Sequence, residues 1–335
     1  MAEQEPEVVL ARGSRHWQGA LGCLLGAACL AWVLHDVEMA GLARSFTNLR
    51  WGWLALAVVF DILSYASQGW RWELLLRPLG RLSVVRTTQA IYVGLFTNEV
   101  LPLRFGEIVR AYLVSRWLNV GFSRVLPSMA LERLFDCIWL AVAVGTTAIF
   151  VDLPSDLMQA EDYLGLAVLA ATALFTCLVF RKPPAVPPKW KPLRWLAHFG
   201  EELQRIGRSR AFYTSFAASF VLLAAQALAY WLVMAGCGLD RSFWTGAVVY
   251  LIVRLGTAVP NAPANVGTFQ FFTVVGLTLF GVDKTTATGF SLVVFLVLTV
   301  PLWALGLLAL NRSGTTLHAL RREILALRTR KGEAG

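Results

Sequence analysis

Long apolar runs dominate the chain, and amphipathic spacing is rare between them. A helix that crosses a bilayer needs about 20 predominantly apolar residues in succession. Six runs approach or reach that length, and they cover residues 17–34, 51–69, 132–151, 163–180, 212–236 and 286–310. The pattern therefore predicts an all-α polytopic membrane protein with about six spanning helices.

Two further apolar regions, 87–117 and 243–280, are each interrupted near the middle by proline, glycine and polar residues. Proline removes a backbone donor and stops a helix, whereas glycine permits a sharp turn. Each half is short for a full crossing, so both regions are predicted to be re-entrant broken-helix hairpins. The residues predicted to shape these breaks are Pro102, Gly106, Pro260, Pro263 and Gly267.

Composition agrees with a membrane environment. Of the 335 residues, 57% are hydrophobic and 15% are charged, whereas about 25% are charged in an ordinary soluble domain. These proportions exclude a water-soluble enzyme, a disordered chain and a secreted disulfide scaffold. The net charge is +9, which in a membrane protein reflects cytoplasmic loops and contact with anionic lipid. No nucleic-acid partner is predicted.

The distribution of basic residues predicts the orientation of the chain. With the N-terminus in the cytoplasm, 24 of the 30 Lys and Arg residues fall in the inside segments, and the acidic segment 152–162 lies outside. This assignment requires each hairpin to enter and leave on one side, the first from the cytoplasm and the second from outside. The prediction is one transmembrane domain, 1–335, built as an inverted pseudo-repeat of 17–151 and 152–310 and followed by a basic amphipathic cytoplasmic tail, 311–335.

Polar residues within the apolar runs are candidate functional residues, because a charge in the bilayer is costly unless it is paired or used. Around the first break, the arginines are expected to receive an anionic headgroup and the acids to tune it or to bind a proton. The alternative is a structural ion-pair cluster that holds the re-entrant loop. The candidates at this break are Asn98, Glu99, Arg104, Glu107 and Arg110.

Two more polar clusters complete the predicted substrate site. Glu132, Arg133 and Asp136 open the third predicted span; the first two also fit an anchor at the membrane interface, whereas Asp136 lies deeper. The second break contributes a lone cation and several amides, which either contact substrate or satisfy exposed backbone groups. Its candidates are Arg254, Asn261, Asn265 and Gln270.

Several kinds of chemistry have no motif in the sequence. It contains no GxxxxGK phosphate loop, no HExxH metal motif and no GxSxG nucleophile elbow. We therefore predict no catalytic residue, no metal and no cofactor, and the protein is predicted not to be an enzyme.

Two motifs resemble a known family. The segments "FTNEVLPLRFGEIVRAYLVSR" and "SMALERLFDCIWL" are similar to the first signature of the lysylphosphatidylglycerol-synthase transmembrane-region family, also called the flippase-like domain family. The segment "VPNAPANVGTFQFFTVVGLTLFGV" resembles its second signature, with Ala264 where the family pattern usually has glycine. In the best-known members, this membrane region moves aminoacylated phosphatidylglycerol between leaflets, and a separate soluble domain makes that lipid. Relatives are implicated in handling hopanoids and polyprenyl-linked glycans.

The resemblance implies a lipid transporter of flippase or scramblase type in the bacterial inner membrane, without the aminoacyl-transferase domain. Its expected partners are membrane lipids, either an anionic phospholipid or a polyprenyl phosphate, and a second copy of the chain. The first alternative is a membrane partner that recruits a cytoplasmic lipid-modifying enzyme or glycosyltransferase. The second is an integral-membrane transferase, for which only Glu107, Glu132 and Asp136 offer a clustered acid site.

Overall fold

The protein is helical throughout the part of the chain that the structure, a computed structural model, describes. That part comprises residues 7–100, 105–151, 191–207, 209–258 and 262–314 with short pieces between 166 and 173, without the side chains of 7–20, 44 and 191–198. Of the predicted elements, most of the span 163–180 and nearly all of the tail 311–335 lie outside it. So do the predicted site residues Pro102, Arg104, Pro260 and Asn261.

Eleven α-helices are described. The first six are α1 (Glu7–Leu34), α2 (Met39–Thr47), α3 (Trp51–Leu76), α4 (Val84–Val100), α5 (Gly106–Leu118) and α6 (Phe122–Phe150). The remaining five are α7 (Lys191–Gly207), α8 (Arg210–Gly236), α9 (Phe243–Gly256), α10 (Thr268–Thr278) and α11 (Lys284–Arg312). A single 3₁₀ turn, Pro263–Asn265, precedes α10.

Three of these helices, α6, α8 and α11, are long and apolar enough to cross a membrane. A fourth candidate is the pair Leu21–Leu34 and Met39–Thr47, which is bent by 100° at a short break. Many large apolar side chains lie exposed on the outer helix faces, including Leu24, Trp51 and Ile149. A soluble protein rarely exposes contiguous apolar surface of this kind. The predicted all-α multi-pass membrane class is therefore confirmed.

α3 and α8 form the most extensive helix pair. The Arg50 amide, just before α3, donates to the Gly236 carbonyl at the end of α8 at 2.9 Å. At the other end of the pair, the Ser215 hydroxyl donates to the Arg71 carbonyl at 3.3 Å. The two helices therefore run antiparallel along their whole length, and the other helices pack around this central pair.

The two broken regions form helix pairs on either side of this centre. α4 packs on α5, and α9 packs on α10. Each pair also packs against a long apolar helix, because α4 lies along α11 and α9 lies along α6. The 3₁₀ turn before α10 reaches α4. The two breaks therefore approach each other inside the helix bundle.

The apolar face of α7 is buried against the protein. Leu203 and Ile206 are buried in the cluster formed with α3, α4, α5 and α6, and Phe199 packs against that cluster. Arg124 in α6 pairs with Glu202 in α7 at 2.9 Å. α7 therefore docks on the bundle through this apolar face.

Candidate functional site

Close backbone packing holds the first broken hairpin together. A Cβ atom at Gly106 would overlap the Gly94 carbonyl oxygen, and one at Gly94 would lie 2.8 Å from the Gly106 oxygen. Only glycine allows α4 and α5 to approach this closely. The Asn98 side-chain oxygen accepts from the Gly106 amide at 2.7 Å, so a side chain of α4 satisfies a free donor at the start of α5.

A ring of six charged side chains, of which Arg71, Arg110 and Glu132 are buried, lies beside this hairpin. It alternates three arginines with three acids, and each member is in contact with one neighbour on either side. The ion-pair distances around the ring are Asp136–Arg71 2.5 Å, Arg71–Glu132 3.1 Å, Glu132–Arg110 2.8 Å, Arg110–Glu107 2.6 Å, Glu107–Arg133 2.7 Å and Arg133–Asp136 3.4 Å. We refer to these six residues as the charge ring.

Local helix geometry explains part of this arrangement. Residues three or four positions apart share a helix face, which places Glu107 beside Arg110 on α5 and Glu132 in line with Asp136 on α6. Arg71 arrives from α3 and also donates to the Ser219 hydroxyl of α8 at 2.9 Å. The Arg110 guanidinium lies over the Trp72 ring, 4.7 Å from its centroid. The ring therefore ties four helices together.

The members of the charge ring differ in how deeply they are buried. The side chains of Arg71 and Glu132 are 0% exposed, whereas that of Arg133 is 50% exposed. Glu132 is thus enclosed by the protein and paired with two arginines, although the sequence pattern also fitted an anchor exposed at the membrane interface. The reason is that α6 begins ten residues earlier than the predicted span, at Phe122.

Arg254 of the second hairpin adds a fourth cation to the ring. Its guanidinium lies 4.0 Å from the Asp136 carboxylate and donates to Gln226 at 2.9 Å and to the Tyr250 hydroxyl at 3.0 Å. Arg254, the lone cation of the second break in the sequence, is therefore hydrogen-bonded to neutral acceptors beside the ring. The ring itself has three cations and three acids, so Arg254 is a cation additional to its internal pairs.

Neutral groups and tight backbone packing form the second break. Ala264 and Asn265 have positive φ angles of 56° and 52°, and Gly267 has a φ of 87°. The Gln270 side-chain oxygen accepts from the Gly267 amide at 2.7 Å. A Cβ atom at Gly26 of α1 would lie 2.7 Å from the Val266 oxygen. The chain therefore leaves helical geometry here and packs directly on α1.

A cavity of about 480 Å³ lies between the two breaks. Both hairpins line it, as do α3, α6, α8 and α11. The predicted site residues in its wall are Asn98, Glu99, Glu107, Arg110, Arg133, Asp136, Arg254 and Asn265. Glu132 and Gln270 do not line the cavity and are buried. Glu132 pairs with Arg71 and Arg110, and Gln270 accepts a hydrogen bond from the Gly267 amide.

The sequence interpretation missed Arg71. This residue was assigned to a cytoplasmic loop after the span 51–69, whereas α3 continues to Leu76 and buries the arginine completely. The flanking Trp70 and Trp72 and the following leucines are the signal that the helix continues, because a solvated basic loop rarely carries such residues. Among the described residues, no group of three or more His, Cys, Asp and Glu side chains is arranged to hold a metal ion.

A largely enclosed charge ring and a cavity lined by charged and apolar residues between broken helices define a multi-pass helical membrane protein with ionisable groups inside its helix bundle. Residues 19–306 match the family described as Lysylphosphatidylglycerol synthase TM region. The chain belongs to this family, and the resemblance drawn from the two motifs is confirmed.

One curated relative is named as a glycosyltransferase. The chain is 34% identical over 129 residues to "Glycosyltransferase AglD" from Haloferax volcanii. This match covers 38% of the chain and 21% of the relative. The chain thus spans about a fifth of that relative's length.

Proposed function

We propose that the protein moves an anionic lipid between the two leaflets of the membrane, as a flippase or scramblase. The substrate would be an anionic phospholipid or a polyprenyl-phosphate-linked lipid. Its headgroup would occupy the cavity between the breaks, and its chains would stay in the surrounding lipid. The protein would bind and release this lipid without changing it covalently, so we propose no catalytic residue.

The cavity and the partly exposed Arg254 guanidinium in its wall carry this proposal. Pockets for small ligands commonly measure about 300–1,000 Å³, so a cavity of about 480 Å³ suits a phosphate-containing headgroup. Arg110, Arg133 and Arg254 line its wall. A guanidinium donates paired hydrogen bonds to phosphate, and the 27% exposure of the Arg254 side chain leaves it accessible to a ligand.

The packing of the broken hairpins supports the proposed inverted repeat. The antiparallel α3 and α8 would be equivalent helices in the halves 17–151 and 152–310. The contact of α4 with α11 would then correspond to that of α9 with α6. Transporters built from inverted repeats bind substrate where broken helices meet near the midplane. We further propose that the protein resides in the bacterial inner membrane with both termini in the cytoplasm.

Leaflet exchange in reconstituted vesicles tests the transport proposal. Purified protein would be placed in liposomes that carry either a fluorescent anionic phospholipid or a fluorescent polyprenyl phosphate. Exchange faster than in empty liposomes is expected for at least one class. The Arg254→Gln variant should slow it at least tenfold, because one lost charge-assisted hydrogen bond weakens binding by about 1.5–3 kcal/mol.

Arg241→Gln is the matched control, because it makes the same change at an exposed loop position. This variant should exchange lipid at the wild-type rate. Wild-type exchange no faster than in empty liposomes, for both lipid classes and under either direction of pH gradient, would contradict the proposal.

A second candidate function is recruitment of a lipid-modifying enzyme or glycosyltransferase to the membrane. The partial match to a curated glycosyltransferase favours it, since most of that relative lies outside the matched region. In this case Arg254→Gln would leave function intact. Removal of residues 181–210, the basic segment that contains α7, would abolish it, and co-purification of a cytoplasmic enzyme would measure the loss.

A further inference from the structure

Two acids in the cavity differ from those of the charge ring. Asp61 of α3 and Glu99 of α4 both line the cavity, and no cation within the described residues forms an ion pair with either. Glu99 accepts one hydrogen bond, from the Trp303 indole at 3.2 Å. Asp61 is 5% exposed, and its carboxylate has no hydrogen-bond donor in the described part of the chain.

The surroundings of Asp61 provide hydroxyl groups instead of cations. Tyr65, Tyr92 and Tyr250 lie within electrostatic range of its carboxylate. The Tyr92 hydroxyl is itself buried and has no hydrogen-bond partner within the described residues. Asp61 and Tyr92 are each more than nine-tenths buried, they interact electrostatically, and within the described residues neither the carboxylate nor the hydroxyl has a hydrogen-bond partner.

The other ionisable groups in this region are either distant or engaged. Arg254 already donates to Gln226 and Tyr250, and the ring cations each contact ring acids. α10 and α11 place no ionisable group in the described wall of the cavity. The ionisable groups around Asp61 on the packed helices are Tyr65 of α3, Tyr92 and Glu99 of α4, Glu107 and Arg110 of α5, Arg133, Asp136 and Cys137 of α6, Tyr230 of α8, and Tyr250 and Arg254 of α9.

An ionised carboxylate buried without a partner is strongly unfavourable, so such a group takes up a proton or binds a cation. Tyrosine hydroxyls can complete the coordination of either, because each oxygen accepts as well as donates. We propose that Asp61, together with Glu99, forms a subsite for one monovalent cation, a proton or Na⁺, in the wall of the cavity. Its role rests on the proposed transport function, since the bound cation would couple lipid movement to an ion gradient.

Infrared difference spectroscopy on the purified full chain tests the subsite without measuring transport. If a proton occupies it, the wild type should show the carbonyl stretch of a buried protonated carboxyl at neutral pH. Asp61→Asn should lose that band, and Asp61→Glu should retain a shifted one. If Na⁺ occupies the subsite, added Na⁺ should remove the band or change the carboxylate stretches of the wild type but not of Asp61→Asn.

Asp240→Asn provides the matched control, because it makes the same substitution at an exposed residue. It should leave both spectral responses unchanged. Spectra of the wild type and Asp61→Asn that coincide at every pH, with and without Na⁺, would overturn the proposal. The Asp61→Glu variant separates this result from misfolding, because it keeps the carboxylate.

Transport under a gradient tests the coupling role. In vesicles, a gradient of the bound cation should accelerate wild-type lipid exchange, whereas Asp61→Asn should keep exchange without a gradient and lose the acceleration. Equal acceleration in both would overturn the coupling role. An absence of exchange in the wild type would instead refute the transport function, while the spectra would still report on the cation subsite.

Discussion

The two breaks, which both interrupt a helix inside the bundle, are stabilised by different kinds of interaction. At the first, α4 and α5 pack beside the charge ring of three arginines and three acids. At the second, the chain between α9 and α10 is stabilised by neutral groups, with Gln270 capping the Gly267 amide and Ala264 in a left-handed conformation. Arg254 is the second hairpin's contact with the ring.

The two breaks look alike in sequence, but they share only their close backbone contacts and differ in charge. Both breaks need glycine where backbones touch, at Gly106 and at Gly267. Charged side chains are concentrated at the first break, where the members of the charge ring come from α3, α5 and α6. The first break therefore depends on electrostatic pairing between helices, and the second depends on local backbone geometry. Substitutions at the two breaks should consequently differ in size and in cause.

The largest effect is expected from Glu132→Gln. This change removes the negative charge that contacts both Arg71 and Arg110, and it leaves two buried guanidinium groups with one acid fewer. Breaking a buried ion pair by removing one partner costs about 3–5 kcal/mol. The free energy of unfolding should fall by that amount, as measured by denaturant unfolding of the purified protein in detergent.

Glu73→Gln is a suitable control for this experiment. Glu73 pairs with Arg77 at 3.0 Å, and the Arg77 side chain is 54% exposed. Glu73 is itself 8% exposed, but its single cation partner is in contact with solvent, so Glu73→Gln should cost less than Glu132→Gln. Equal losses from the two substitutions would show that the charge ring has no special structural role.

The next largest effects concern the two contact glycines. Gly106→Ala would force a Cβ atom into the Gly94 carbonyl, and Gly267→Ala would force one into the Gly26 carbonyl. Overpacking of this kind costs about 1–3 kcal/mol. Gly267→Ala should cost more, because its φ of 87° is also unfavourable for alanine. Thermal unfolding of both variants would measure the difference.

Gly52→Ala in α3 provides the control, since no atom lies within 4 Å of the added Cβ. Alanine has a higher helix propensity than glycine by about 1 kcal/mol. This variant should therefore be as stable as the wild type or more stable. Destabilisation equal to that of Gly106→Ala would remove the close-contact explanation.

The sequence was sufficient to predict features that depend on local composition. Apolar runs of spanning length predicted the helical membrane class, and proline and glycine predicted the breaks after α4 and before α10. The positions of Glu107 and Arg110, three apart, predicted their pairing on one helix face. These features depend on residues close together in the chain, so a single sequence contains them.

Features that depend on distant residues could not be predicted in the same way. Arg71 and Glu132 are 61 positions apart, and nothing local indicates that they meet. The contact of Gly26 with Val266 spans most of the chain, although glycine at positions 22 and 26 does suggest a close helix approach. The extent of α3 was underestimated because a buried arginine resembles a loop residue until its partners are known.

Helix caps provide a smaller test, in which the two hairpins should behave alike. α9 begins after Ser242, whose hydroxyl oxygen accepts from the Thr245 amide at 3.1 Å. α4 begins after Ser83, whose oxygen accepts from the Arg86 amide at 3.3 Å. Replacing an N-cap serine with alanine costs about 0.5–2 kcal/mol. Ser83→Ala and Ser242→Ala should both lower the unfolding temperature, and aspartate at either position should restore it.

The smallest expected effect, at Ala264, separates backbone conformation from packing at the second break. The φ of 56° at this residue is a left-handed conformation that costs a non-glycine residue about 1–2 kcal/mol. Glycine would remove that cost. It would also increase the conformational entropy of the unfolded chain, and this increase lowers the gain in stability by about 0.4–1 kcal/mol. Ala264→Gly should therefore raise the free energy of unfolding by up to about 1 kcal/mol. Ala262→Gly, two residues earlier at a φ of −54°, should lower it instead, because no strain is relieved there and the methyl group that lies beside Gly26 of α1 is lost. A loss of stability in both variants would mean that side-chain packing, and not backbone conformation, governs the second break.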